Sequence, residues 1–173
     1  MTASTDFPGL PGTQWFAVQT RYRFERKVTA QLQSRGLETF LPMLEETHSW
    51  SDRRKRVDIP LFSGYTFVRF DLPCLPRNLL NTEGIIGLIT FAGKPAPVPA
   101  KQIDDLQMLL SQKVPCALHA FLKVGQRVRI RGGSLNGLEG ILEQCGDRNL
   151  VISIDSIQRA VAITIEGYEL ELI

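Results

Sequence analysis

Cysteine, histidine and net charge are all scarce in this chain. Its three cysteines (Cys74, Cys116 and Cys145) stand far apart in 173 residues, and no Cys-x-x-Cys pair occurs. An odd, scattered set gives no disulfide framework and fits a reducing, cytoplasmic setting. Two histidines, His48 and His119, are too few for a metal site built on imidazoles. No apolar run approaches the roughly 20 residues that a membrane helix needs. Residues 1–12 lack the basic-then-apolar order of a secretory signal. The glycine-rich stretch Gly132-Gly133-Ser134 has no Gly-Lys-Ser/Thr behind it, so it is no phosphate loop. No paired carboxylates or nucleophile–base grouping stand out, which points away from an enzyme and from any cofactor.

What is present is globular: 43% hydrophobic and 22% charged residues. The net charge of +2 is unevenly spread. Residues 13–113 carry 14 Lys/Arg against 10 Asp/Glu, residues 123–173 carry 6 against 7, and Asp6 adds one negative charge to the tail. The first segment is thus mildly basic and the second near neutral. A protein held to nucleic acid by phosphate contacts alone would be more basic.

Residues 1–12, rich in Pro, Gly, Ser and Thr, read as a disordered tail. WFAVQ (15–19) reads as a buried strand. Phe24, Val28 and Leu32 recur every four residues among polar neighbours, the mark of an amphipathic helix, and Gly36 stops it. Residues 38–44 return to strand character, interrupted by Pro42. Residues 48–59 read as a hairpin or long exposed loop carrying Arg53, Arg54, Lys55 and Arg56. In FSGYTFVRF (62–70), Tyr65, Phe67 and Arg69 alternate with Thr66, Val68 and Phe70, so both strand faces are largely apolar. Residues 75–80 suggest a short helix and 84–91 another strand. Pro99 opens a helix at its first position, with Ile103, Leu106 and Leu110 as the inner stripe. These elements predict an α+β unit over 13–113: a four-stranded antiparallel sheet with flanking helices.

Residues 114–122 form a linker that turns strand-like near its end. From 123 the pattern is β throughout. Val128 and Ile130 alternate with Arg127, Arg129 and Arg131, and Gly132-Gly133 and Asn136-Gly137 are turn dipeptides. Further strands fall at 138–144, 150–154, 159–165 and 168–173. Five short strands in residues 123–173 predict a small curled barrel. Its density of Val and Ile predicts a permanently β structure.

In this order and at this length, the two halves resemble the NusG-type transcription elongation factors. WFAVQTRYRFERKV (15–28), PLFSGYTFVRF (60–70) and GIIGLITFAGKPAPVP (84–99) resemble their N-terminal, or NGN, domain. VGQRVRIRGGSLNGLEGILEQ (124–144) resembles the KOW domain, with Gly140 at the motif's fixed glycine, where a side chain would block a close backbone approach. WSDRRKRVDIPLF (50–62) is similar to the basic hairpin of the specialised UpxY, LoaP and RfaH kind of antiterminator. Two departures stand out: Ser63 replaces the usual proline of the aromatic motif, and Leu75-Pro76-Arg77-Asn78 does not match the polar motif that touches the polymerase gate loop.

The resemblance implies that the first domain binds the clamp helices of RNA polymerase and suppresses pausing and termination. Phe62, Tyr65 and Phe67 stand at the matching positions, with Leu88 and Phe91 completing the patch; the alternative is that these aromatics are core. Arg53, Arg54, Lys55 and Arg56 would meet upstream or non-template DNA phosphates, or else remain a solvated hairpin tip. The same choice applies to Arg21, Arg23 and Lys27 at the first helix. The KOW domain would recruit a small ribosomal subunit protein or Rho through Ile157 and Arg159, or Ile157 caps the barrel. The expected protein is a cytoplasmic monomer without membrane contact. The competing expectation is a KOW-type RNA-binding or ribosome-associated protein.

Overall fold

A computed structural model of the chain describes residues 12–121, 125–143 and 149–173. Residues 1–11 of the expected tail 1–12, the end of the linker at Leu122, residues 123–124 of the expected second domain, and Cys145 lie outside the described residues. The N-terminal half runs β1 (Gln14–Thr20), α1 (Glu25–Ser34), β2 (Glu38–Phe40), β3 (Met43–Trp50), β4 (Arg53–Pro60), β5 (Tyr65–Phe70), β6 (Ile85–Leu88), β7 (Thr90–Phe91), β8 (Lys94–Pro95), β9 (Pro97–Val98) and α2 (Ala100–Ser111). The C-terminal half runs β10 (Ala117–His119), β11 (Gln126–Arg131), β12 (Glu139–Glu143), β13 (Asn149–Ile154), β14 (Arg159–Thr164) and β15 (Glu169–Leu172).

The first sheet has the order β2-β5-β1-β6, with β9 also paired to β1, and every pairing is antiparallel. Strand β1 lies at its centre because nearly all its side chains are buried, as WFAVQ predicts. Alternation splits the strand between two cores. Phe16 and Val18 pack with Val28 and Leu32 of α1, Val68 and Phe70 of β5, and Leu79. Trp15 and Ala17 face the other way, with Phe67. Helix α1 forms at the predicted Val28–Leu32 spacing. It ends in a left-handed glycine cap: the Gly36 N–H donates to the Gln33 carbonyl, and the Leu37 N–H to the Leu32 carbonyl.

The second sheet has the order β10-β14-β13-β12-β11-β15, all antiparallel. Its five expected strands are present, and the linker adds a sixth, because β10 pairs with β14 (Leu118 opposite Val161). Val128, Ile130, Leu150, Ile152, Val161 and Ile163 share its buried face. Gly140 is required there: a Cβ would lie 2.6 Å from the Val151 carbonyl oxygen and 2.9 Å from Leu150 Cγ.

Three local expectations are corrected. Residues 75–80 are not a helix. Pro76 forces the preceding Leu75 into an extended conformation (ψ 119°), leaving only a 3-10 turn at Leu72–Cys74 and turns anchored by buried Leu79. Pro99 is the N-cap of α2, one residue before the helix. The helix buries Ile103, Leu106 and Leu109 rather than Leu110, since the i, i+3, i+6 row faces the core. Of the two alternatives for residues 48–59, the hairpin is present, with its turn at Ser51-Asp52, so the basic cluster lies on strand β4.

Candidate functional site at the domain seam

The aromatic motif is held by a tight turn. Gly64 has φ +85°, a conformation that favours glycine, and its N–H donates to Oε1 of Glu25 at 2.7 Å. The Tyr65 N–H closes the turn onto the Phe62 carbonyl, and the Thr20 N–H donates to the Gly64 carbonyl. Glu25 is buried, and neighbouring Thr29 and Thr66 join hydroxyls at 2.8 Å. This polar brace fixes the start of β5 on α1. At Ser63 the turn is held by these hydrogen bonds rather than by a proline ring.

Beyond the brace, β5 presents Tyr65 and Phe67 on the sheet face away from α1. Phe67 is fully buried and stacks on Phe40 with ring centroids 6.1 Å apart, and Phe62 is buried beside it. Tyr65 is half-buried. One continuous apolar cluster runs from Trp15, Phe62 and Phe67 through Ile103, Leu106 and Leu109 of α2 to Leu150, Ile152 and Ile157 of the second sheet. The two halves therefore share a core.

Polar contacts stitch the same seam. Gln102 Nε2 donates to Oδ2 of Asp155 at 3.0 Å, and the Asp155 N–H donates back to Gln102 Oε1 at 3.2 Å. Lys101 Nζ donates to the Gly137 carbonyl at 2.8 Å and pairs with Asp105. Asp105 is only 3% exposed and accepts the Glu139 N–H at 3.3 Å. Burial pushes its carboxyl above the ordinary value, and the Lys101 ammonium offsets part of that rise. Finally, the Arg159 guanidinium sits over the Tyr65 ring, 5.8 Å from its centroid.

The seam thus joins residues from two separately expected sites, Tyr65, Phe62 and Phe67 on one side, Ile157 and Arg159 on the other. Ile157, expected either as an exposed partner contact or as a barrel cap, is buried at the 3-10 turn Asp155–Ile157. Leu88 is not brought to the Tyr65 face. It stands opposite Val18 and packs toward α1, while its neighbour Ile89 packs against the Phe67 cluster. Phe91 ends strand β7 of the β7–β8 hairpin, 81% exposed, at the edge of a groove of about 1230 Å³ between the halves. Sequence reasoning missed Ile89, Glu25 and Asp105.

The basic residues divide by their partners. Lys27 is held by Glu83 at 2.7 Å, and that contact keeps the Glu83 carboxyl below its usual range. Arg21 and Arg23 are exposed before α1, with Arg23 at φ 67° and its guanidinium over Tyr22. In the second sheet the arginine stripe is neutralised in place. Arg129 makes two hydrogen bonds to Glu139 (2.9 and 2.6 Å), Arg127 lies 3.7 Å from Glu139, and Arg131 pairs with Glu171. That ladder removes the cations an RNA-binding sheet would offer to phosphates.

No group of three or more His, Cys, Asp or Glu able to hold a metal occurs among the described residues. No helix among them is long and apolar enough to cross a membrane. The fold is that of two antiparallel sheets and two helices sharing one apolar core. The chain belongs to the NusG family: the family model described as transcription termination factor nusG matches residues 13–107. It is 26% identical to a transcription termination/antitermination protein NusG of Lactococcus lactis, over 91% of both chains. It is 22% identical to the protein of that description in Borreliella burgdorferi, over 92% of this chain and 98% of that one. A solved structure concerned with domain interaction in Thermotoga maritima NusG has the same fold, with a TM-score of 0.53 at 19% identity, over 91% of this chain and 96% of that one. The protein is a NusG-like transcription termination/antitermination factor, and proteins of this family are transcription factors rather than enzymes.

Proposed function

We propose that this protein is an elongation and antitermination factor of the specialised UpxY, LoaP and RfaH kind, with NGN domain 13–113 and KOW domain 123–173. The NGN domain binds the clamp helices of RNA polymerase through Tyr65, Phe62 and Phe67, with Phe91 at the rim. Pausing falls because binding favours the closed clamp by differential affinity. Arg21 and Arg23 face nucleic acid beside the polymerase. The KOW domain recruits a second partner through Ile157 and Arg159.

The observation that carries this reading is the contact of Arg159 with Tyr65. Both contact surfaces are apolar with one polar handle, the composition of protein-binding hot spots. In the docked arrangement each fills the other, so the protein opens its seam before engaging polymerase.

The test is binding of the full chain to core RNA polymerase, wild type beside Tyr65→Ala. Tyr65 is half-buried at the seam, so its truncation leaves the α1-side core intact. Loss of a hot-spot aromatic weakens binding by about 2 kcal/mol or more, some thirtyfold. Equal binding by both proteins would remove Tyr65 from the polymerase surface. Absence of binding by either would overturn the reading itself.

A further inference from the structure

The β3–β4 ribbon forms a sheet of its own, joined to neither larger sheet, so both its outer edges are unpaired among the described residues. Its strands pair in unbroken register from Met43 opposite Pro60 to Trp50 opposite Arg53, about 26 Å at the usual rise per residue. A two-stranded ribbon is marginal by itself, and a long, regular edge is a template for a further strand. The two edges differ. On β4 the Arg26 guanidinium occupies the Asp58 carbonyl, and Pro60 has no N–H to offer. Strand β3 carries no proline along its length.

Charge is segregated along the ribbon. Glu45, Glu46 and Asp58 lie in the root half, whereas Arg53, Arg54, Lys55 and Arg56, all exposed, crowd the outer half. Within one ribbon this leaves Glu45 directly opposite Asp58, an unfavourable like-charged pair. Arg56 reaches back to Glu45 at 3.4 Å and offsets part of that repulsion.

A second copy of the ribbon, laid antiparallel against the β3 edge, supplies the missing opposite charge. Pairing all eight residues of β3 sets Glu45 opposite His48 of the second copy, and Glu46 opposite its Thr47. Because His48 is already paired with Lys55 and Glu45 with Asp58, the row across four strands reads Lys55, His48, Glu45, Asp58. Its basic half comes from one copy and its acidic half from the other. A parallel alignment would set acid on acid and cation on cation. The antiparallel contact also carries the second copy's turn past Met43. A cleft of about 730 Å³ lies there, walled by residues 43–46 on one side and by Leu110, Lys113 and Leu118 on the other. Lys113 then meets Asp52, the acid of that turn. We propose that the β3 edge takes a second copy of this chain, the two ribbons joining in a two-fold, four-stranded sheet. The contact is isologous and closes at two copies. It is small and polar, so the dimer is reversible, in place of the monomer that the resemblance implies.

The test is sedimentation velocity of the full chain from about 1 µM to about 1 mM, the span that a weak, polar contact calls for. The wild type is expected to pass from monomer to dimer within it. Glu45→Lys weakens the opposite-sign pairing in both symmetric rows and is expected to weaken dimerisation roughly tenfold. Adding His48→Glu rebuilds the pair with its signs exchanged and is expected to recover the wild-type constant. Within the ribbon, Glu45→Lys stands opposite Asp58 and His48→Glu opposite Lys55, so both suit its fold, and thermal melting checks that it is kept. Amide exchange, followed residue by residue by NMR, is expected to slow with concentration along β3 and not along β4. A wild type that stays monomeric throughout overturns the proposal, as does a double variant no better than Glu45→Lys alone. Slowing along β4, or at residues outside the ribbon and cleft, places the contact elsewhere and overturns it too.

Discussion

Removing the Gln102 side chain should open the seam without unfolding either half. Gln102 makes a reciprocal pair of hydrogen bonds with Asp155, at 3.0 and 3.2 Å, that link α2 to the turn after β13. A hydrogen bond contributes about 0.5–1.5 kcal/mol net, and more when one partner is charged. Asp155 is exposed, so the lower part of that range applies to each bond. Gln102→Ala should therefore shift the open:closed ratio by about 1.5 kcal/mol, roughly tenfold. Where the closed form dominates, apparent affinity for polymerase tightens by the same factor, because it scales with the open fraction. Interdomain energy transfer between labels at the exposed positions Arg77 and Glu166 reports the opening, and a polymerase titration reports its consequence. Asp155→Ala should act alike, and the double variant should add almost nothing to either single change, since all three remove one interaction. Full additivity, or an unchanged transfer efficiency in Gln102→Ala, would refute the claim that this pair holds the seam.

Three further outcomes follow from buried groups. The Asp105 carboxyl titrates above its ordinary value in the docked form, so the docked form binds its proton more tightly than the open form. Its contribution to docking is complete below the open-form value and is lost as pH rises through the docked value. Energy transfer should thus rise from about pH 7 to about pH 4, and Asp105→Asn should flatten the response and close the seam at neutral pH. Gly140→Ala forces a methyl against the Val151 carbonyl, and should destabilise the second sheet by about 1–3 kcal/mol, seen as a lower melting temperature. Glu25→Ala leaves the Gly64 N–H unpaired and should destabilise by about 1–3 kcal/mol, while Glu25→Gln recovers part of the loss through its remaining carbonyl oxygen, measured by denaturant unfolding.

Periodic, local signals were the legible ones. The Phe24–Val28–Leu32 spacing located α1, alternation located β11 to β15, and the Asn136-Gly137 dipeptide falls where Gly137 takes φ +88°. Residues 75–80 misled because their leucines suggest a helix that Pro76 forbids. Leu88 misled because β1 slips register between Gln19 and Thr20, which moves the seam-facing role to Ile89. Contacts between distant segments carry no local mark. Nothing near Asp105 announces Glu139 as its partner, and nothing near Ile157 says that the shared core will bury it. The candidate surfaces were legible as residue types, but their meeting across the seam was not.

The arginine–glutamate ladder also sets an order of assembly during synthesis. All strands of the first sheet lie before Ser111, so that sheet needs nothing made later. The ladder on β11 draws its acceptors from β12 and from β15, whose Glu171 holds Arg131. The ladder is complete only once Leu172 has left the ribosome, roughly 3–12 s after Ser111 at ordinary translation rates. For part of that interval the Tyr65 face is made before the Arg159 that sits over it. Each newly made molecule therefore presents that face bare before it can cover it.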